Sequence, residues 1–110
     1  VTAYDMADEK ELKACINNSD ILINATNVGM EPDINRCLIP DVSFFANRPF
    51  VADIIYSPRK TKLLKMAENA GCTIANGLYM LLYQGAESFR IWTGEEMPVE
   101  AIKKKYFDKD

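Results

Sequence analysis

Histidine does not occur in this 110-residue chain. Its absence removes imidazole acid–base catalysis, nucleophile systems of the Ser-His-Asp and Cys-His kind, and every His-containing zinc site. Cysteine is scarce. Cys15, Cys37 and Cys72 form no CxxC arrangement, and an odd count without close pairs excludes a disulfide framework and fits a reducing cytoplasm. No apolar run approaches the ~18 residues of a membrane span, and the opening residues carry no signal-peptide pattern. No GxGxxG or related Gly-rich turn follows a strand, so the device with which strand–helix units hold phosphates is missing. Basic charge is also short. The balance of 13 Lys and Arg against 16 Asp and Glu gives 13 − 16 = −3, which argues against a nucleic-acid partner. The runs Arg59-Lys60-Thr61-Lys62 and Lys103-Lys104-Lys105 lack interleaved aromatics and read as solvated helix faces.

What is present suffices for a core and is arranged for a parallel sheet. Hydrophobic residues make up 48% of the chain, the share of an ordinary globular domain, and the length allows one domain or part of one. Residues 1–4 read as a short strand, the tail of a longer one, and a start at Val1 rather than Met reads as an excised piece. Asp8 and Glu11 have capping-box spacing before the stripe Leu12, Cys15 and Ile16, which predicts a helix over 8–17. Residues 21–24 and 50–56 are β-rich apolar runs that stop in small, polar or Pro residues, as buried parallel strands do when they deliver their ends to a ligand. The connection 28–49 is long for a loop and predicts a helical turn around 40–45. Thr61 is placed to N-cap a helix with Leu63, Leu64, Ala67 and Ala70 inward and Gly71 at its end. A short strand over 72–75 follows. Asn76-Gly77 then turns the chain into a helix reaching about Trp92 and closed by Gly94, with Leu78, Leu81, Leu82, Gly85, Phe89 and Trp92 as its core stripe. A last short helix after Pro98 carries Val99, Ile102 and Tyr106 and runs into a charged tail. Strands alternating with helices of these lengths make βαβ units, an α/β fold.

Three segments could carry chemistry. In Asn24-Ala-Thr-Asn-Val-Gly-Met30 small residues let a ligand approach the backbone, and Gly29 allows a dihedral closed to other residues; a plain strand-exit turn would look the same. In Asp53-Ile-Ile-Tyr-Ser-Pro58 the Tyr56 ring can pack while its hydroxyl needs a polar partner, either a ligand or the rim of the sheet. Gln84 lies off the apolar stripe of its helix, and its amide can donate and accept at once, which suits a polyhydroxylated ligand as well as a surface position.

The stretches Asp20-Ile-Leu-Ile-Asn-Ala-Thr-Asn-Val-Gly-Met30, Val51-Ala-Asp-Ile-Ile-Tyr-Ser-Pro58 and Asn76-Gly-Leu-Tyr-Met-Leu-Leu-Tyr-Gln84, taken in order and spacing, resemble the C-terminal, cofactor-side portion of the shikimate and quinate/shikimate dehydrogenases. The resemblance runs over nearly the whole chain. It implies that residues 1–110 form the C-terminal part of an NAD(P)-binding Rossmann domain, with the helices of 77–110 packing back toward an N-terminal substrate domain. The implied fold is a partial Rossmann-like, three-layer domain of about four mostly parallel strands with helices on both faces. In the whole domain the strand order would be 3-2-1-4-5-6, and this chain would supply strands 3 to 6.

The implied activity is reversible reduction of 3-dehydroshikimate to shikimate, or of 3-dehydroquinate to quinate, with NADP or NAD, in the shikimate pathway of aromatic amino-acid biosynthesis. Asn27, Ile54, Ile55, Tyr56, Ser57 and Gly77 would border the cofactor, and Tyr56 and Gln84 would orient the substrate. Some relatives carry Lys at the place of Asn27, and relatives more often carry Asn at Ser57 and commonly Gly at Tyr79. The family's catalytic Lys and Asp belong to the substrate domain and match no residue here, so no catalytic residue and no metal ligand is expected, and Lys62 and Lys65 have no claim to the role. The small-molecule substrate is the expected partner, with no nucleic acid or membrane, a cytoplasmic setting, and self-association of the isolated piece. Alternatives are a different Rossmann NAD(P)-dependent dehydrogenase, or a non-catalytic α/β module that binds through its open sheet edge.

Overall fold

The computed structural model describes residues 1–108; Lys109 and Asp110, the end of the charged tail and of the expected 77–110 helices, lie outside the described residues. Helix α1 spans Glu9–Asn17, and its N-cap is Asp8, whose side chain accepts from the Glu11 N–H at 3.2 Å. Strand β1, Ile21–Asn24, follows. The long connection holds a 3₁₀ turn, Val42–Phe45, capped by Asp41, where the sequence predicts a helical turn. Strand β2 is Phe50–Asp53 and helix α2 is Lys62–Asn69, with the Thr61 hydroxyl accepting from the Leu64 N–H. Gly71 just beyond α2 takes φ +89°, the left-handed turn expected after a helix end. Strand β3 is only Ile74–Ala75, α3 is Leu78–Thr93 closed by Gly94 at φ 72°, and α4, Val99–Ile102, leads into a π-helical turn, Lys103–Phe107.

The three strands are parallel in the order β1-β2-β3, with Asn24 opposite Asp53 and Val51 opposite Ile74. Side chains alternate between the faces of a strand. Leu22, Asn24, Val51 and Asp53 therefore share one face, while Ile21, Ile23, Phe50 and Ala52 share the other. The first face is covered by α1, the 3₁₀ turn and α2. Its core is Ile16, Ile39, Phe44, Phe45, Val51, Leu63, Leu64, Ala67 and Cys72, with Leu12 and Leu22 packed against it. Fully burying a side chain such as Phe45 or Leu64 is worth ~1.5–3 kcal/mol. The second face is open, with Ile21 and Ile23 each 59% exposed.

The sheet thus departs from the expected outline in three respects. Residues 1–4 form no strand; Thr2 and Tyr4 instead share a hollow with Glu11, Ala14 and Cys15 of α1. An extended segment without a ladder partner has little to hold it. The described residues make three parallel strands where about four were expected. The predicted α3 core stripe is buried only at Leu82, and Trp92 is 81% exposed, because α3 packs chiefly against α4 and the turn after it. The cysteines are free, and only Cys72 is buried; burial pushes the thiols of Cys37 and Cys72 up, away from the reactive thiolate. Among the described residues no helix is long and apolar enough to cross a membrane.

Candidate functional site

β1 and β2 run in register and end at the same level. Just beyond them Thr26, Asn27 and Met30 of one exit loop face Ile54, Ile55, Tyr56 and Ser57 of the other across a cleft of about 290 Å³. A crevice outside the carboxyl ends of adjacent parallel strands is where open α/β sheets take their ligands. Tyr56, at the rim, is 45% exposed, while Ile55 beneath it is 3% exposed. The loops touch directly, since the Glu31 N–H donates to the Ser57 carbonyl at 3.3 Å. A second, almost wholly apolar hollow of about 200 Å³ lies beside β1, between Met6, Leu12, Leu38 and Leu63; it has too few polar groups to orient a ligand.

Polar groups below the cleft shape both loops. The Asn24 amide donates to Asp53 Oδ1 (3.2 Å) and to the Val28 carbonyl (3.3 Å), and its oxygen accepts from the Thr26 N–H (3.1 Å) and hydroxyl (2.6 Å). All its hydrogen-bonding capacity is used. Asp53 Oδ1 also accepts from the Ile55 N–H at 3.0 Å, and Oδ2 accepts from the Thr61 hydroxyl at 2.8 Å. That turn of the backbone ends β2 at Asp53, three residues short of the expected 50–56, since the Ile55 N–H goes to a side chain and the Ile55 carbonyl accepts from the Gly77 N–H at 3.0 Å. Asn24, Asp53 and Thr61 have no role as site residues in the sequence reading. Their signal was available, however: polar side chains at inward-facing strand positions must find partners.

Gly77 joins the site from the other side. A Cβ there would lie 1.8 Å from the Ile54 carbonyl oxygen, so the start of α3 sits against the very backbone that lines the cleft. The absent side chain is explained by this protein–protein approach. Gln84 is not brought in. It is exposed on α3, and its amide donates to the Leu81 carbonyl at 3.2 Å. Seven residues beyond Gly77, it lies on the same side of α3 about two turns along, roughly 10 Å. Tyr79 reaches the other way, its hydroxyl donating to Asp108 at 2.7 Å and its ring 4.9 Å from the Lys103 ammonium.

Residues 77–105 match the family model for the Shikimate 5'-dehydrogenase C-terminal domain. The chain is 45% identical to a shikimate dehydrogenase (NADP(+)) of Listeria innocua over 94% of its own length and 36% of the relative's. It is 42% identical to a quinate/shikimate dehydrogenase of Escherichia coli, again over 94% and 36%. Its fold superposes with a TM-score of 0.87 on the crystal structure of the Listeria monocytogenes shikimate 5-dehydrogenase in complex with shikimate and NAD, at 43% identity, covering 96% of this chain and 37% of that one. Over nearly its whole length the chain is similar to part of the shikimate and quinate/shikimate dehydrogenases. It spans little more than a third of the length of these dehydrogenases. The parallel α/β sheet agrees with the Rossmann-like fold of such enzymes, and its three strands are the part that these residues contribute.

Proposed function

We propose that this chain supplies the nicotinamide-side wall of an NAD(P)-dependent dehydrogenase that interconverts 3-dehydroshikimate and shikimate, or 3-dehydroquinate and quinate, in a cytoplasmic setting. The observation that carries the reading is the cleft itself. Residues of two of the resembling segments line it, with Asn27 opposite Ile54, Ile55, Tyr56 and Ser57, and Gly77 of the third packs against Ile54. The residues fit the nicotinamide end of a dinucleotide, because the wall is largely apolar with exposed backbone at its rim. They offer no Gly-rich turn for the phosphates, which belong to other parts of such a domain. When bound, the nicotinamide supplies or takes the hydride exchanged with the ring carbon that carries the oxygen.

In this reading the backbone of 54–57 and Gly77 packs against the ring and excludes water, Asn27 borders it, and the Tyr56 hydroxyl meets the substrate. Gln84 completes the substrate contacts once the substrate domain lies over α3. Residues 1–110 then act as one part of the dinucleotide-binding domain, with the helices of 77–110 turned toward that substrate domain. The proton on the ring oxygen is handled by groups outside this chain.

The test is an assay of the whole protein that contains these residues. Shikimate- or quinate-dependent reduction of NADP⁺ or NAD⁺ is expected, and its absence with both substrates and both cofactors overturns the reading. The 110 residues alone are expected to give no turnover above a no-enzyme control. Binding through an open edge also has support of its own, since among the described residues the outer edge of β1 and the Ile21/Ile23/Phe50 face are uncovered. For the isolated chain it leads to self-association.

A further inference from the structure

Among the described residues the buried polar side chains are Asn24, Asp53 and Thr61, and none of them lines the cleft. They meet at one carboxyl group. Asp53 Oδ1 takes a hydrogen bond from each cleft wall, through the Asn24 amide at 3.2 Å and the Ile55 N–H at 3.0 Å. Its second oxygen is held by the Thr61 hydroxyl at 2.8 Å, and that hydroxyl also caps α2 by accepting from the Leu64 N–H at 3.3 Å. Asn24 has no freedom left, because its remaining contacts bind Thr26 and Val28. Loss of Oδ1 therefore removes the side-chain bond that ties Asn24, and with it the loop of Thr26 to Val28, to β2, and frees the Ile55 N–H that turns the opposite wall.

We propose that Asp53 is a positioning residue that sets the spacing and orientation of the two cleft walls through Asn24 and the Ile55 N–H, and so tunes dinucleotide affinity without touching a ligand. This rests on the dehydrogenase reading given above. An acceptor at the Oδ1 position is the element that matters. Asn at position 53 can keep it by turning its amide nitrogen to Thr61, whereas Ala removes it.

The test uses the whole protein, with steady-state kinetics well below each variant's melting temperature. Losing hydrogen bonds to both walls is expected to raise the dinucleotide KM about tenfold in Asp53→Ala, while Asp53→Asn stays within about threefold of wild type. A dinucleotide KM within about twofold of wild type in Asp53→Ala, with only the melting temperature lowered, overturns the proposal and leaves Asp53 a stabilising residue. Should Asp53→Ala fail to fold, Asn24→Ala cuts the same link from the loop side. A several-fold rise in its dinucleotide KM then supports the proposal, and an unchanged value overturns it. Titration of the wild-type protein separates this question from the functional reading. Dinucleotide binding without shikimate or quinate turnover overturns the substrate assignment alone, and Kd then replaces KM with the same thresholds. Binding of neither NAD⁺ nor NADP⁺ overturns both.

Discussion

At the scale of single residues, Gly77 and Gln84 separate a structural demand from a functional one. Gly77 has φ −82° and ψ 3°, a conformation open to any L-residue. A substitution there meets no dihedral strain, and the whole cost comes from the Cβ placed 1.8 Å from the Ile54 oxygen. Gly77→Ala is expected to destabilise the chain by about 3 kcal/mol, the upper end of overpacking costs, seen as a lower midpoint in urea. A loss under about 1 kcal/mol would mean that the β2 exit and the α3 start move apart easily. Gln84 is the opposite case, being exposed and bonded only within its own helix. In the whole protein Gln84→Ala is expected to leave the melting temperature unchanged and raise the KM for shikimate roughly three- to tenfold, the worth of one hydrogen bond to a neutral group. An unchanged KM would return Gln84 to an ordinary surface role.

At the scale of elements, caps and strand ends decide most of what was legible. Asp8, Thr61 and Gly94 announce the ends of α1, α2 and α3 in the sequence, and each end falls within a residue or two of its signal, because capping chemistry is local. β1 is legible for a similar reason, since polar residues flank it on both sides. β2 is overrun in the sequence reading because Ile54 and Ile55 keep the β-branched pattern. The Ile54 N–H still donates to the Asn24 carbonyl, but the Ile55 N–H turns back to the Asp53 side chain and its carbonyl accepts from Gly77, contacts that periodicity cannot register. The α3 stripe shows which face is apolar but not what covers it. The cleft residues 27 and 54–57 are legible as a group because they sit at strand ends. The network beneath them is not, because it joins residues 29 and 8 positions apart. Asp41 tests an element by pH. The Ser43 hydroxyl and then the Ser43 N–H hold its carboxyl below the ordinary 3.8. A lowered native value adds stability above the unfolded value, and that stability is lost as pH falls through the native one. Asn caps a helix about as well as Asp but does not titrate over this range. Melting temperatures between pH 7 and pH 3 are expected to fall less for Asp41→Asn than for wild type, and parallel curves would show that the cap contributes nothing through its charge.

At the scale of the whole molecule, one sheet face and the outer edge of β1 lack cover among the described residues. Ile21 and Ile23 are each 59% exposed on that face, Ile91 and Trp92 are 67% and 81% exposed on α3, and the outer edge of β1 has no strand beside it among the described residues. Unpaired edges and contiguous apolar patches drive association. The isolated chain is expected to self-associate at micromolar concentration in sedimentation equilibrium; a clean 12.4 kDa monomer with cooperative unfolding would show these surfaces to be tolerable in water. The strand order has a different consequence. Because β1, β2 and β3 are neighbours both along the chain and in space, both cleft loops, the Asp53 network and Gly77 fall within one unbroken stretch, residues 21–77. The contacts that shape the cleft are therefore closed within about half of the chain, and they depend on no strand pairing beyond β1-β2-β3.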